Sequence, residues 1–393
     1  MPSGASKGHR EAIELRDGDK QRYHGLGVHK ALHNIDTVIA PKILGLDSRK
    51  QSEIDRTLID LDGTENKSRL GANAILGVSM ALARATADTA KTCLYRSIGN
   101  NRKPVLPLPM MNIINGGKHA GNDLSFQEFM ILPAGFKTFR DALRCGSEIY
   151  HSLKDRLESK YGKSAINVGD EGGFAPPIDN VEEALGQIND AVEEAGYSPG
   201  QNVLLGVDAA ADSFYDKNKK KYLVDGKEMT SESLFQLYED MASNFPLKSI
   251  EDPFHDEDFD NFTRITRKHG SRIQIVGDDL FVTNIKRVEQ GIRVGAANAL
   301  LVKVNQIGTL TETMEAVGKA RKASYGLVMS HRSGETEDTS IADLSVGLAT
   351  GQIKTGALAR GERTCKYNRL LLIEEELGSA ASFYGPEFLK THK

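Results

Sequence analysis

The chain has 393 residues and a formal net charge of −4, with 39% hydrophobic and 26% charged residues, room for one large domain and a smaller companion. That balance offers no electrostatic case for nucleic acid or an anionic membrane as partner, and no apolar stretch approaches the roughly 20 residues of a spanning helix. The opening residues, Met1-Pro-Ser-Gly-Ala-Ser-Lys-Gly-His, lack an apolar signal core. Cys93, Cys145 and Cys365 are far apart, which fits buried free thiols in a reducing cytoplasm better than a disulfide or metal framework.

Residues 1–100 read as a small, largely helical domain. They open on Pro2-Ser3-Gly4-Ala5-Ser6, a loop of small residues with neither helix nor strand periodicity. A helix is expected through Gly71-Ala-Asn-Ala-Ile-Leu-Gly-Val-Ser-Met-Ala-Leu-Ala, with Ile75, Val78 and Leu82 at i, i+3 and i+7. Asn100-Asn-Arg-Lys-Pro104 and Pro107-Leu-Pro109 punctuate the chain, and the boundary is set there, leaving 101–393 as the second domain.

Beyond Pro109 a strand-like run precedes an amphipathic helix several times over. Val181, Leu185, Ile188 and Val192 share one helical face that Gly196 ends; Leu234, Leu237, Tyr238 and Met241 share another, entered through Thr230 and Ser231. Asn284 can cap a helix carrying Ile285, Val288 and Ile292, and the stripes Leu310–Met314–Val317 and Ile341–Leu344–Leu348 follow. This alternation implies an α/β fold with a parallel sheet. At least five such units, with charges at strand ends and no glycine fingerprint for a dinucleotide, favour a closed β/α barrel over an open sheet. Lys217-Asn-Lys-Lys-Lys-Tyr222 reads as a solvated hairpin tip.

The charges at those strand ends carry the chemistry. Asn202-Val-Leu-Leu-Gly-Val-Asp208, Leu247-Lys-Ser-Ile-Glu251 and Ile273-Gln-Ile-Val-Gly-Asp278 each end an apolar run on an acid. Any one of these could be a helix cap or an ion pair, but three at equivalent places in successive units suit the hard oxygen ligands of Mg²⁺. Leu300-Leu-Val-Lys303 ends the next run on a lysine, a candidate base whose pKa a nearby cation lowers. Gly326-Leu-Val-Met-Ser-His331-Arg332-Ser333 offers a phosphate cradle, and Gln352-Ile-Lys354 a second inward lysine. The two lysines point to an anionic substrate, a phosphorylated carboxylate. Upstream, Asn115-Gly-Gly-Lys-His119, Gln127-Glu128 and Asp170-Glu171-Gly-Gly173 add glycine-flanked turns and candidate acids.

Taken in order, Ser-Gly-Ala-Ser, Asn-Gly-Gly-Lys-His-Ala-Gly, Gln-Glu-Phe-Met, Gly-Asp-Glu-Gly-Gly, Ser-Ile-Glu-Asp-Pro, Gly-Asp-Asp-Leu, Lys-Val-Asn-Gln-Ile-Gly and Ser-His-Arg-Ser-Gly-Glu-Thr-Glu-Asp make the chain resemble the enolase family from Pro2 nearly to its carboxyl terminus. The resemblance implies a small α+β domain capping an eight-stranded, TIM-like β/α barrel whose second strand runs antiparallel, usually in a homodimer. It implies a reversible, Mg²⁺-dependent dehydration of 2-phosphoglycerate to phosphoenolpyruvate in glycolysis and gluconeogenesis. Asp208, Glu251 and Asp278 match ligands of a first Mg²⁺, and Ser6 matches a mobile-loop ligand of a second that arrives with substrate. Lys303 matches the base, Glu171 the acid with Glu128 beside it, and His119, Gln127, His331 and Lys354 substrate contacts. Arg332 and Ser333 match the phosphate clamp. Family members carry further strands before the serine loop, so a truncated small domain is expected. With it comes an alternative, a catalytically impaired fragment or paralogue acting as a scaffold.

Overall fold

The apolar runs pair side by side as strands. A computed structural model of the chain describes residues 3–4, 8, 10–99, 102–117 and 120–392. Its strands are β1 (Leu108–Asn115), β2 (Glu128–Leu132), β3 (Leu204–Asp208), β4 (Tyr215–Asp216), β5 (Lys221–Val224), β6 (Lys227–Met229), β7 (Leu247–Glu251), β8 (Gln274–Gly277), β9 (Ala299–Val302), β10 (Gly326–Ser330) and β11 (Gly351–Lys354). β4, β5 and β6 form a separate antiparallel sheet, and the exposed lysines near 217–220 make the tip of its first hairpin. The other eight close a barrel in the order β1-β11-β10-β9-β8-β7-β3-β2.

The barrel strands are almost wholly buried, as parallel strands covered by helices should be. All neighbours pair in parallel except β2, which runs against both β1 and β3. Deep inside, Gln274 and Gln352 exchange amide hydrogen bonds of 3.0 and 2.8 Å, and Gln274 also donates to Ser249 Oγ. Each buried amide is thereby satisfied by its neighbours across the interior.

Helices return the chain between strands. Side-chain caps start several: Thr138 for Phe139–Tyr161, Asn180 for Val181–Glu194, Thr230 for Ser231–Asn244, Asn284 for Ile285–Val294 and Thr309 for Leu310–Lys322. The expected faces are packed at Val181, Leu185, Ile188 and Val192, and at Leu234, Tyr238 and Met241. Leu237, Ile285, Ile292, Met314 and Ile341 are only partly buried, at the edges of their stripes.

Before residue 100 every named element of the described chain is a helix. The helix Ala72–Thr89 buries two faces, which explains why its stripe departs from the one read in the sequence. Leu76, Met80, Ala83 and Ala87 join the barrel core, while Ala74 and Ile75 turn into a small cluster with Ala31, Ile39, Leu58 and Leu70. Val78 and Leu82 are only half-buried. Asp55, on the helix Gln51–Asp62, accepts from the backbone N–H and hydroxyl of Thr311 at 3.0 and 2.6 Å, tying the helical part to the barrel. Cys145 is buried, but Cys93 and Cys365 are half-buried, unlike the fully buried thiols expected. Among the described residues no helix is long and apolar enough to cross a membrane.

Candidate active site

Register gathers the charges at one mouth of the barrel. Asp208 lies opposite Glu251, and Ser330 opposite Lys354. Asp278 and Lys303 each stand one residue past the end of a strand. Because β2 is antiparallel, its first residue rather than its last reaches this mouth, and Glu128 pairs with both Asn115 and Asp208.

Lys354 is the centre of the arrangement. Its Nζ lies 3.2 Å from Glu128, 3.0 Å from Asp208 Oδ2 and 2.9 Å from Glu251 Oε1, and all four side chains are at most 5% exposed. Burial of an ammonium costs several kcal/mol. A carboxylate at ~3 Å attracts it by about 5 kcal/mol at an effective dielectric of about 20, comparable to that cost. Burial alone would lower the Lys354 pKa; Asp208, Glu128 and Glu251 instead hold it well above its ordinary value. Burial pushes Glu251 and Glu128 well above the carboxylate range, with Asp208 adding to the first and Glu171 to the second.

One strand on, Lys303 Nζ pairs with Asp278 Oδ2, and Gln306 donates to Asp278 Oδ1 at 2.9 Å. Thr283 braces both, accepting from the Lys303 backbone N–H and donating to Gln306 Oε1, each at 2.9 Å. Burial opposes ionisation of Asp278, but Lys303 holds its carboxyl below the usual range. Burial likewise opposes the Lys303 ammonium, and Asp278 raises it. The nearest charge to Lys303 is an anion, so this pairing favours the ammonium form.

Glu171 comes from the loop before the helix Val181–Glu194. It accepts from Asn112 Nδ2 at 3.0 Å and faces His331 Nε2 at 3.4 Å. His331 Nδ1 lies 2.8 Å from Arg363 Nη1. A guanidinium only donates, so Nδ1 is the acceptor and the imidazole hydrogen sits on Nε2, towards Glu171. Burial pushes His331 down to about 3, against the pull of Glu171, so the ring is neutral. Arg363 is fully buried and also donates to the carbonyls of Arg332, Asp170 and Ser333 at 2.8, 2.9 and 2.7 Å. It ties the loop after β10 to the loop bearing Glu171.

Arg332 forms a two-pronged pair with Glu11 at 2.8 and 3.0 Å and donates to Asn305 Oδ1 at 3.0 Å. One cavity is lined by Gln127, Glu128, Glu171, Lys303, His331, Arg332, Ser333 and Lys354, together with Gly4 and Ser330. Asp208, Glu251 and Asp278 reach it through the two lysines. Ser6 and His119 lie outside the described residues.

Sequence reasoning passed over four residues here: Glu11, Asn112, Gln306 and Arg363. Asn112 carries a readable signal, an amide set inside the apolar stretch that leads to Asn115. Gln306 sits inside a quoted motif, whereas nothing local distinguishes Glu11 or Arg363.

The donor set suits a hard cation. Among the described residues, three acidic or histidine ligand atoms lie within 4.8 Å of one another at Glu128–Glu171–His331, Asp212–His255–Asp256 and Asp252–Asp278–Asp279. The trio Asp208–Glu251–Asp278 is not one of these, because Asp278 is turned to Lys303 and Gln306. Asp208 and Glu251 nevertheless converge on one ammonium, and Glu251 Oε2 is buried without a hydrogen-bond partner. An oxygen desolvated and left over in this way fits a metal ligand.

Residues 103–392 match the family model described as enolase, C-terminal TIM barrel domain, and residues 1–98 match enolase, N-terminal domain. The match to the amino-terminal model does not bear out the expected truncation of the small domain. The enolase of Thermococcus gammatolerans is 57% identical over 388 residues, covering 99% of this chain and 90% of its own length. That of Methanopyrus kandleri is 58% identical over 386 residues (98% and 90%), and that of Pyrococcus furiosus 56% over 390 (99% and 90%).

Proposed function

The chain belongs to the enolase family, and from that membership we infer that Lys303, Glu171 and Arg332 act together on one substrate molecule. The reaction is the reversible dehydration of 2-phospho-D-glycerate to phosphoenolpyruvate and water, which makes the chain a carbon–oxygen lyase of glycolysis and gluconeogenesis. The observation that carries this reading is the convergence of two lysines, an arginine and the Glu128–Glu171 carboxyls on a single cavity.

Arg332 and Ser333 hold the phosphate, with Gln127, His119 and His331 completing the contacts to substrate. Lys303 takes the C2 proton onto Nζ. The C–H electron pair moves into the C2–C1 bond and onto the carboxylate, then returns to form the C2–C3 double bond as the C3 hydroxyl leaves. Glu171 delivers the proton that turns this hydroxyl into water. Glu128, pushed up by burial and by Glu171, helps keep a proton on that carboxyl pair. Lys354, held as a cation by its carboxylates, places a fixed positive charge beside the growing anion. Asp278 governs the base: while it pairs with Lys303 the ammonium form is favoured, and Lys303 accepts a proton once that carboxylate is engaged elsewhere.

Magnesium is the ion the family generally uses, and when bound it neutralises charge gathering on the substrate carboxylate. Asp208, Glu251 and Asp278 are the residues that would hold a first ion, and Ser6 would help hold a second with substrate. Residues 1–100 serve as the cap of the barrel formed by 101–393, in a cytoplasmic homodimer. Protein supplied with Mg²⁺ and 2-phosphoglycerate should develop the ultraviolet absorbance of the enol phosphate, and chelation should abolish it. No absorbance change from the folded chain would overturn this reading.

A further inference from the structure

Glu11 lies at the edge of the site and has no part in the steps above, yet it is one of its most heavily engaged carboxylates. It is 8% exposed, and Arg332 is 5% exposed. Both oxygens of Glu11 accept from Arg332, Oε2 from Nη1 at 2.8 Å and Oε1 from Nη2 at 3.0 Å. Asn305 Oδ1 takes a second hydrogen of Nη1 at 3.0 Å. A guanidinium held by two parallel bonds and a third at its corner has its plane and its tilt determined.

The same carboxylate reaches two further parts of the site. Its Oε1 accepts from the Gly8 backbone N–H at 2.9 Å and lies 3.5 Å from Gln306 Nε2, the amide that also donates to Asp278. Next along the chain, the Ala12 N–H donates to the Gln306 carbonyl at 2.8 Å. Ser3 O accepts from the Gly334 N–H at 2.9 Å, two residues beyond Arg332. A β-carbon on Gly8 would meet Asp279 Oδ1 and Val282 Cγ1 at 2.9 Å, so a side chain here would have to push those groups aside.

We propose that Glu11 is a positioning residue for the reaction: it aims the Arg332 guanidinium at the substrate phosphate. This rests on the reading of Arg332 as a phosphate-binding residue. Glu11 works through Arg332 and touches no reacting atom. Arg332 is buried with its counter-charge already supplied, so the phosphate meets a guanidinium in fixed orientation rather than one that must be ordered on binding.

The test is a double-mutant cycle on the full chain with Mg²⁺, using Glu11→Gln, Arg332→Gln and the double variant. The readouts are kcat/KM for 2-phosphoglycerate and competitive inhibition by inorganic phosphate. Glu11→Gln should lower kcat/KM by about 10- to 100-fold, the range for charged hydrogen bonds of this kind, and weaken inhibition by phosphate in step. In the Arg332→Gln background the same change should matter by less than about threefold, since a positioning residue has nothing left to position. An equal loss in both backgrounds, or an unchanged kcat/KM in Glu11→Gln, overturns the proposal while leaving the clamp intact. If Arg332→Gln itself leaves phosphate inhibition unchanged, the reading of Arg332 fails, and the proposal with it. Should Glu11→Gln not fold, Glu11→Asp enters the same cycle. It keeps the charge but is one methylene too short for both bonds, and the same two outcomes decide.

Discussion

Arg363 offers the sharpest test of how the site is held together. Its side chain is fully buried and makes four hydrogen bonds, to His331 Nδ1 and to the carbonyls of Arg332, Asp170 and Ser333. Arg363→Met keeps much of the volume and removes every donor. The bonds to His331 and Arg332 are buried, and losing a charged hydrogen bond of that kind costs about 2 kcal/mol. The other two are partly buried, where water replaces some of the loss. The expected destabilisation is therefore about 4 kcal/mol, read as a lower urea midpoint with an unchanged slope. Activity should fall as well, because the same four bonds align the loop carrying His331, Arg332 and Ser333 with the loop carrying Glu171. A variant within about 1 kcal/mol of the parent, with kcat/KM intact, would refute the claim that Arg363 organises the two loops.

Other consequences are as specific. His331 is pushed down to about 3 in the folded chain, against 6.5 for a free imidazole, so only the unfolded chain takes up this proton between those values. Stability contributed by the neutral ring is complete above pH 6.5 and is lost as pH falls, with a slope of up to about 1.4 kcal/mol per pH unit. Urea titrations from pH 6.5 to 5 should show that slope in the parent and a shallower one in His331→Asn; parallel slopes would contradict it. Asp55→Ala removes the acceptor for two buried bonds from Thr311 and should destabilise by about 2–3 kcal/mol, whereas an effect under 0.5 kcal/mol would deny that contact a role. Burial pushes the Cys145 thiol up to about 12, so iodoacetamide should label Cys93 and Cys365 in the native protein and reach Cys145 only after unfolding.

Much of this architecture could be read in the chain because burial leaves a simple trace. Runs such as Leu-Leu-Gly-Val-Asp208 and Ala-Leu-Leu-Val, followed by Lys303, mark a buried strand and the point where it meets solvent, and those points share one mouth of the barrel. Glu128 had no such trace. It begins its strand, and only the reversed direction of β2 brings it to Asp208. Periodicity also assumes one packed face, so it misjudged the helix Ala72–Thr89, which divides its side chains between the barrel and a second cluster. Glu11 and Arg363 were silent for another reason. Their partners, Arg332 and His331, are 321 and 32 residues away in sequence, and nothing in their neighbours reports a contact made in space.

The division of labour between Lys303 and Glu171 is tested most directly by exchange of the C2 hydrogen of 2-phosphoglycerate with solvent deuterium, followed by NMR alongside product formation. Lys303→Ala should abolish exchange and dehydration together. Glu171→Gln should retain exchange while losing dehydration. Exchange that survives in Lys303→Ala, or vanishes equally in both variants, would contradict the assignment of Lys303 as the base.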